Sequence, residues 1–150
     1  MNALPPSIVQ PVNGLLLHGP LQLAKAVITC WKCKNPTEVF AIIAADQEGF
    51  DDGVSTGRED AEAFIYGIAE DEMPDTLGQA LADLAPNYKP IYSNTMACKE
   101  WANGCEHCGS LQGAFFQHME PDGPFFSYPS EFYGQRVPLL AISVVIDYQD

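Results

Sequence analysis

The sequence predicts an α+β fold, an antiparallel β-sheet carrying a helical insert of two short helices, and three observations predict it. Two Cys-x-x-Cys turns, Cys30–Cys33 and Cys105–Cys108, each follow or sit between residues that suit strands. Segments rich in β-branched and aromatic residues flank the first turn on both sides. Between the two turns, apolar residues recur at helical spacing in two short runs. At 150 residues the chain suits a single domain spanning 1–150, large enough to bury a core without disulfides.

Leu23 to Cys30 reads as a strand, the turn follows at Cys30–Cys33, and Thr37 to Ala45 reads as the returning strand. Together they form a hairpin with a cysteine knuckle at its tip. Residues 1–20 are proline-rich and read as irregular, with Leu15-Leu16-Leu17 packing on the core. Asp46 to Gly57 reads as an acidic loop. Thr56-x-x-Glu59 fits a helix capping box, and Ala61, Phe64, Ile65, Ile68 and Ala69 follow at helical spacing. A second helix is expected from an N-cap at Asp75, with Leu77, Ala80, Leu81 and Leu84 inward and Pro86 as its stop. The acidic insert thus covers about 46–85. Lys89 to Ala97 reads as a strand, Trp101 to Asn103 lead into the second knuckle, and Leu111 to His118 fits strand or helix equally. Pro121 to Pro129 is a turn-rich aromatic loop, and Leu139 to Tyr148, apolar on both faces, reads as a central strand.

Four cysteines in two such turns match the four thiolates that close a tetrahedral structural zinc site with no open position. The knuckles are separated by 71 residues, so the expected motif is a split zinc ribbon with Cys30, Cys33, Cys105 and Cys108 as ligands. A thioredoxin-like redox pair would need a βαβ context that Cys30–Cys33 lacks, and iron is the other metal such a cage accepts. Cys98, the odd cysteine, reads as a small core residue, and His107 as a variable knuckle residue. Asp46-x-Glu48-x-x-Asp51-Asp52-Gly53 lacks the alternating ligand spacing of a calcium loop.

Tyr92-Ser93-Asn94-Thr95, Trp101-Ala102-Asn103 and Cys105-x-x-Cys108-Gly109-x-x-Gln112-Gly113 resemble the zinc-ribbon segment of small uncharacterised bacterial proteins. The hairpin around residue 30 shares the resemblance more loosely. It implies a ribbon with four cysteine ligands and carries no activity with it. Glu106 stands where zinc ribbons often have proline, which leaves the ligands untouched.

Charge is the second informative feature. Twenty acidic residues against seven basic ones give −13, and eleven of the acids fall between Asp46 and Asp75 with Arg58 as the one base. Such a field repels nucleic acid and anionic membranes, which are bound by neutralising phosphates. The most apolar run, Leu139 to Ile146, is far short of the ~20 residues that span a bilayer. Met1 to Pro11 has three prolines and no basic residue, which does not suit a signal peptide. Paired cysteines suit a reducing compartment, so the expected location is cytoplasmic.

No Ser-His-Asp ordering, phosphate-cradling glycine loop or HExxH motif is present. The expected role is therefore a non-enzymatic binding protein that captures a basic protein partner, with immunity against a toxin as one specific form. Asp46, Glu48, Asp51, Asp52, Glu59, Asp60 and Glu62 are its expected contact residues. The alternatives are a zinc-ribbon accessory or regulatory protein docking on cellular machinery, and an enzyme with an unrecognised site. A pocket lined by His118 and convergent acids would favour the enzyme, and a flat acidic face would favour capture.

Overall fold

A computed structural model describes residues 11–94, 97–132 and 134–148. The chain runs β1 (Gly14–His18), β2 (Leu21–Thr29), β3 (Pro36–Ala44), β4 (Asp46–Asp51), β5 (Val54–Glu59), β6 (Ala63–Ile65) and a 3-10 turn (Glu70–Glu72). It continues through α1 (Asp75–Leu84), β7 (Tyr88–Ser93), β8 (Cys98–Gly104), β9 (Leu111–Gln112) and α2 (Ala114–Met119). A second 3-10 turn (Pro129–Glu131), β10 (Gln135–Leu140) and β11 (Val144–Asp147) complete it. The result is a sheet-rich α+β fold in which every strand pairing is antiparallel.

Two four-stranded sheets run in matching order, β11-β1-β4-β5 and β10-β2-β3-β6. Each segment that gives a strand to one sheet continues, after a short corner, into the equivalent position of the other. Four long segments thus make one antiparallel sheet folded over on itself. Hydrogen bonds hold the corner: Ala45 N donates to His18 O at 2.9 Å, and Gly19 N to Ser143 Oγ at 3.0 Å. The main core takes Leu17 and Ile146 from the first sheet, Leu23 and Ile42 from the second, and Leu77 and Leu81 from α1. On the opposite face of β3, Val39, Ala41 and Ile43 pack with Phe64, Phe125 and Phe132. With both faces covered, β3 is apolar along nearly its whole length. The third sheet, β7-β8-β9, carries the second cysteine turn.

The knuckle-tipped hairpin forms as the sequence predicts, with Thr29 opposite Pro36 at the tip. Helix α1 also forms, burying Leu77 and Leu81, although Leu84 is exposed. Its N-cap is Pro74 rather than Asp75, which becomes the first helical residue. The segment Leu111 to His118 divides between strand β9 and helix α2.

The first helix of the insert does not form. Thr56 and Glu59 belong to β5, and Ala63–Ile65 pairs with Ala44–Ile42 as β6. Phe64 and Ile65, adjacent in a presumed apolar stripe, go to opposite faces: Phe64 against Phe125, Ile65 into the main core. Neighbours on opposite faces are the mark of a strand. As a strand on the open edge of β3 the segment gains ladder partners and packs Phe64 and Ile65 into the clusters on the sheet's two faces. The acidic loop is likewise the β4–β5 hairpin, closed by Asp52-Gly53 with φ values of 54° and 79°, as a two-residue Asp-Gly turn requires.

Two further expectations are corrected. Leu15–Leu17 lies in β1, between β11 and β4, not in irregular chain. Leu139 to Tyr148 is not one central strand: it turns the corner at Ala141–Ser143 and supplies an edge strand to each sheet. Pro138, which has no N–H to donate, is compatible with such an edge position. The stretch read against a signal peptide lies, Pro11 apart, outside the described residues.

The sign of one substitution separates strand from helix. Gly57 has φ +139°, a conformation costly for any side chain. Gly57→Ala should destabilise the protein by about 1–3 kcal/mol, whereas at a helical position it would stabilise by up to about 1 kcal/mol. Urea denaturation gives the sign.

Candidate metal centre

The two cysteine turns share one backbone geometry. In the first, Lys34 N donates to Cys30 O at 3.0 Å and Cys30 N to Asn35 O at 2.9 Å. In the second, Gly109 N donates to Cys105 O at 2.9 Å and Cys105 N to Ser110 O at 2.9 Å. The residue after the second cysteine is left-handed in both, Lys34 at φ 65° and Gly109 at φ 78°. This tight path turns backbone N–H groups toward the sulfurs: Lys32 N lies 3.4 Å from Cys30 Sγ, and His107 N lies 3.3 Å from Cys105 Sγ.

The tips meet face to face. The four Sγ atoms all lie within 4.8 Å of one another. Cys30 Sγ is 3.6 Å from Cys108 Sγ, and Cys33 Sγ is 3.7 Å from Cys105 Sγ. A tetrahedral ion held at about 2.3 Å from each sulfur sets sulfur–sulfur edges of about 3.8 Å, so the cluster has the dimensions to hold a metal ion. Cys30 and Cys105 are buried, Cys33 is half-buried and Cys108 exposed. Burial opposes the Cys30 thiolate, but the N–H groups of Cys33 and Lys32, with Cys108 and Gln112, outweigh it and lower its pKa to about 6. Cys105 is lowered by the same contest between burial and the N–H groups of Cys108 and His107. Cys33 moves up: donors from Asn35 favour its thiolate, but burial and the nearby Cys105 and Cys30 sulfurs prevail. Neighbouring thiolates repel, which is the field a cation relieves.

Bonds between the tips fix their register. Trp31 Nε1 donates to Leu111 O at 2.7 Å, Glu106 N to Thr37 Oγ1 at 3.0 Å, and His107 Nε2 lies 3.0 Å from Pro36 O. Behind the sulfurs runs a buried amide relay. Gln112 Nε2 donates to Cys30 Sγ at 3.3 Å, Gln117 Nε2 to Gln112 O at 2.8 Å, and Asn103 Nδ2 to Gln117 Oε1 at 3.0 Å. Asn103 also pairs with the Phe40 backbone in both directions at 2.9 Å, standing in for a strand neighbour. Sequence reasoning missed Asn103, Gln112 and Gln117 as supports. Asn103 and Gln112 stand in the segment that carries the zinc-ribbon resemblance, whereas Gln117 has only its closeness to the second knuckle. Cys98 stays outside the cluster and is exposed opposite Ser93, not a core residue, because it opens β8 at the far end of that hairpin.

The acidic residues do not gather at one point. Asp51 and Asp52 are exposed at the tip of the β4–β5 hairpin, about 20 Å from its base for six residues at ~3.4 Å each. At the base, Asp46 accepts from Arg58 Nη2 at 2.8 Å and faces His18 at 3.5 Å, while exposed Asp60 pairs with Arg58 Nε at 3.1 Å. Asp46 heads the causes that raise the Arg58 pKa. Glu48 accepts from Ser55 Oγ at 2.7 Å, Glu59 lies opposite Gln47, and Glu62 pairs with Arg136 at 2.8 Å.

Beside β6 lies a groove of about 640 Å³ between that strand and the 125–131 loop. His118, buried and stacked on Tyr66 at 3.9 Å, forms part of its floor. Desolvation lowers the His118 pKa to about 4, so the ring is neutral at pH 7. The groove's charged lining residues are both acids, Glu62 and Glu131.

The fold and the site define a sheet-rich α+β protein with four cysteines placed to hold a metal ion. Compared with family models, curated proteins and solved structures, the chain matches none of them. Among the described residues, no helix is long and apolar enough to cross a membrane.

Removing the Asn103 amide tests the relay. Asn103→Ala strands the buried N–H and C=O of Phe40 and should cost roughly 2–4 kcal/mol, read from urea denaturation.

Proposed function

We propose that the four cysteines hold a structural zinc ion, making the paired tips a split zinc ribbon, and that the protein captures a basic protein partner in the cytoplasm. Four thiolates fill a tetrahedral shell and leave no position for an activated water, so the ion's role is to staple the two hairpins. The observation that carries the capture reading is the charge imbalance, with Asp51, Asp52, Asp60, Glu70 and Asp71 all solvent-exposed in a chain of net charge −13. A field of this sign speeds encounter with a positive target and disfavours nucleic acid. Its most specific form is immunity against a toxin whose substrate cleft is basic.

A second reading follows from the groove, because a pocket holding His118 beside Glu62 and Glu131 is what an enzyme would need. There the imidazole, its pKa lowered to about 4, would be a weak general base, short of the match to neutral pH that efficient proton transfer favours. Docking of the ribbon on cellular machinery, as an accessory or regulatory protein, is a form of capture with a different partner.

Metal analysis should return about one zinc per chain. Cys105→Ser should abolish both metal and cooperative unfolding, since binding free energy at such sites is folding free energy. Cys98→Ser should keep both. Cooperative melting of a protein that takes up no metal would remove the zinc staple.

Capture is tested by combining Asp51→Lys, Asp52→Lys and Asp60→Asn. These exposed positions should leave stability within about 1 kcal/mol, Lys being acceptable in the left-handed turn as at Lys34. With a partner isolated from native lysate, association should slow about tenfold or more, and its salt dependence should weaken. Unchanged rate and salt dependence would count against an acidic docking surface.

A further inference from the structure

The aromatic segment after α2 divides in two. Phe125 is buried against Ala24, Val39, Ala41 and Ile43, and so belongs to the core. Phe126 and Tyr128 are 48% and 75% exposed, and Tyr66 on the facing wall is 44% exposed. All three line the same groove. Exposed aromatics that converge on one concavity are a different matter from scattered surface rings.

The floor is rigid. His118 stacks on Tyr66, and Phe64, His118 and Phe125 form a ring cluster with centroids 5.3–6.0 Å apart. Among the described residues no Lys or Arg lines the groove; Arg136 bonds two of its lining residues, Glu62 and the Pro129 carbonyl, together with Gln22, so its charge is paired with Glu62 at the groove wall. Glu131, solvent-exposed, is the groove acid without an ion pair among the described residues. Ring faces attract cations, and a planar guanidinium both stacks on them and pairs with a carboxylate. The neutral floor imidazole sets no charge against such a guest.

We propose that this groove receives an arginine side chain of a basic polypeptide, seated among Tyr66, Phe126 and Tyr128 with Glu131 as its carboxylate. The assignment rests on the capture reading and gives it a specific anchor: the dispersed acids attract at long range, and the groove holds one side chain at contact. A groove of about 640 Å³ has room for such a side chain and part of the peptide that carries it.

The test is a titration of the metal-loaded full chain, followed by amide and aromatic NMR shifts, with capped Gly-Arg-Gly, its neutral citrulline counterpart and hexa-arginine. The arginine tripeptide should shift Tyr66, His118, Phe126 and Tyr128, and the citrulline peptide should not. Tyr128→Ala and Glu131→Gln, both at exposed positions, should each weaken binding about two- to fivefold. Arginine shifts that map to the Asp51-Asp52 tip, or that survive both variants, overturn the groove assignment and leave acidic capture standing. Equal shifts from the citrulline peptide also overturn it, because charge would then be irrelevant. Absence of any shift with hexa-arginine overturns the groove and the capture reading together.

Discussion

Four sulfurs from two hairpin tips, 71 residues apart along the chain, must converge within 4.8 Å, and most of the architecture serves that meeting. Neither tip can do it alone, since each supplies two of the four. The β2–β3 hairpin is anchored by the folded sheet, whereas the β7-β8-β9 sheet is attached mainly through side chains and short backbone bridges. Trp101 N reaches Ile68 O at 2.8 Å, and Asn103 reaches Phe40. A metal bridging the tips would close a long loop, which by analogy with a disulfide of similar span is worth about 4 kcal/mol in chain entropy. The direct bonds between the tips set the register that such a metal would lock.

The relay behind the cluster explains an otherwise costly choice of residues. Asn103, Gln112 and Gln117 are nearly fully buried, and a buried amide without partners is strongly destabilising. Here the amide groups find carbonyls, each other and the Cys30 sulfur. Donors aimed at a sulfur stabilise its thiolate form, so the same network that joins β3, β8 and α2 also conditions the ligands. Packing and the state of the Cys30 sulfur are therefore coupled through three amide side chains.

In the proposed capture of a basic partner, charge and shape would divide the work. The acids form no compact patch: ion pairs with Arg58 and Arg136 occupy Asp46 and Glu62, while Asp51 and Asp52 project from a hairpin tip. Such a spread produces a field rather than a contact site. In that reading short-range complementarity would come from elsewhere, and the aromatic groove is a concavity suited to it. Of the two features the sequence set against each other, the groove lined by His118, Glu62 and Glu131 is present, whereas among the described residues the acids are dispersed and make no flat face.

What the sequence by itself determined is what depends on near neighbours. The Cys-x-x-Cys turns, the hairpin through Cys30, and α1 with Leu77 and Leu81 inward all follow from spacing within about ten residues. The Asp-Gly turn was equally local, and its misreading as loop came from weighing acidity over turn chemistry. The segment from Thr56 to Ala69 is different in kind. Its apolar residues fit a helical stripe and a pair of short strands alike, and the vacant edge of β3 decided for strands. Likewise nothing near Leu139 marks where one sheet becomes the other; that corner exists because two faces had to close over a shared core. Asn103 and Gln117 are surface residues by type, and they became interior ones because tertiary packing brought their backbone partners to them.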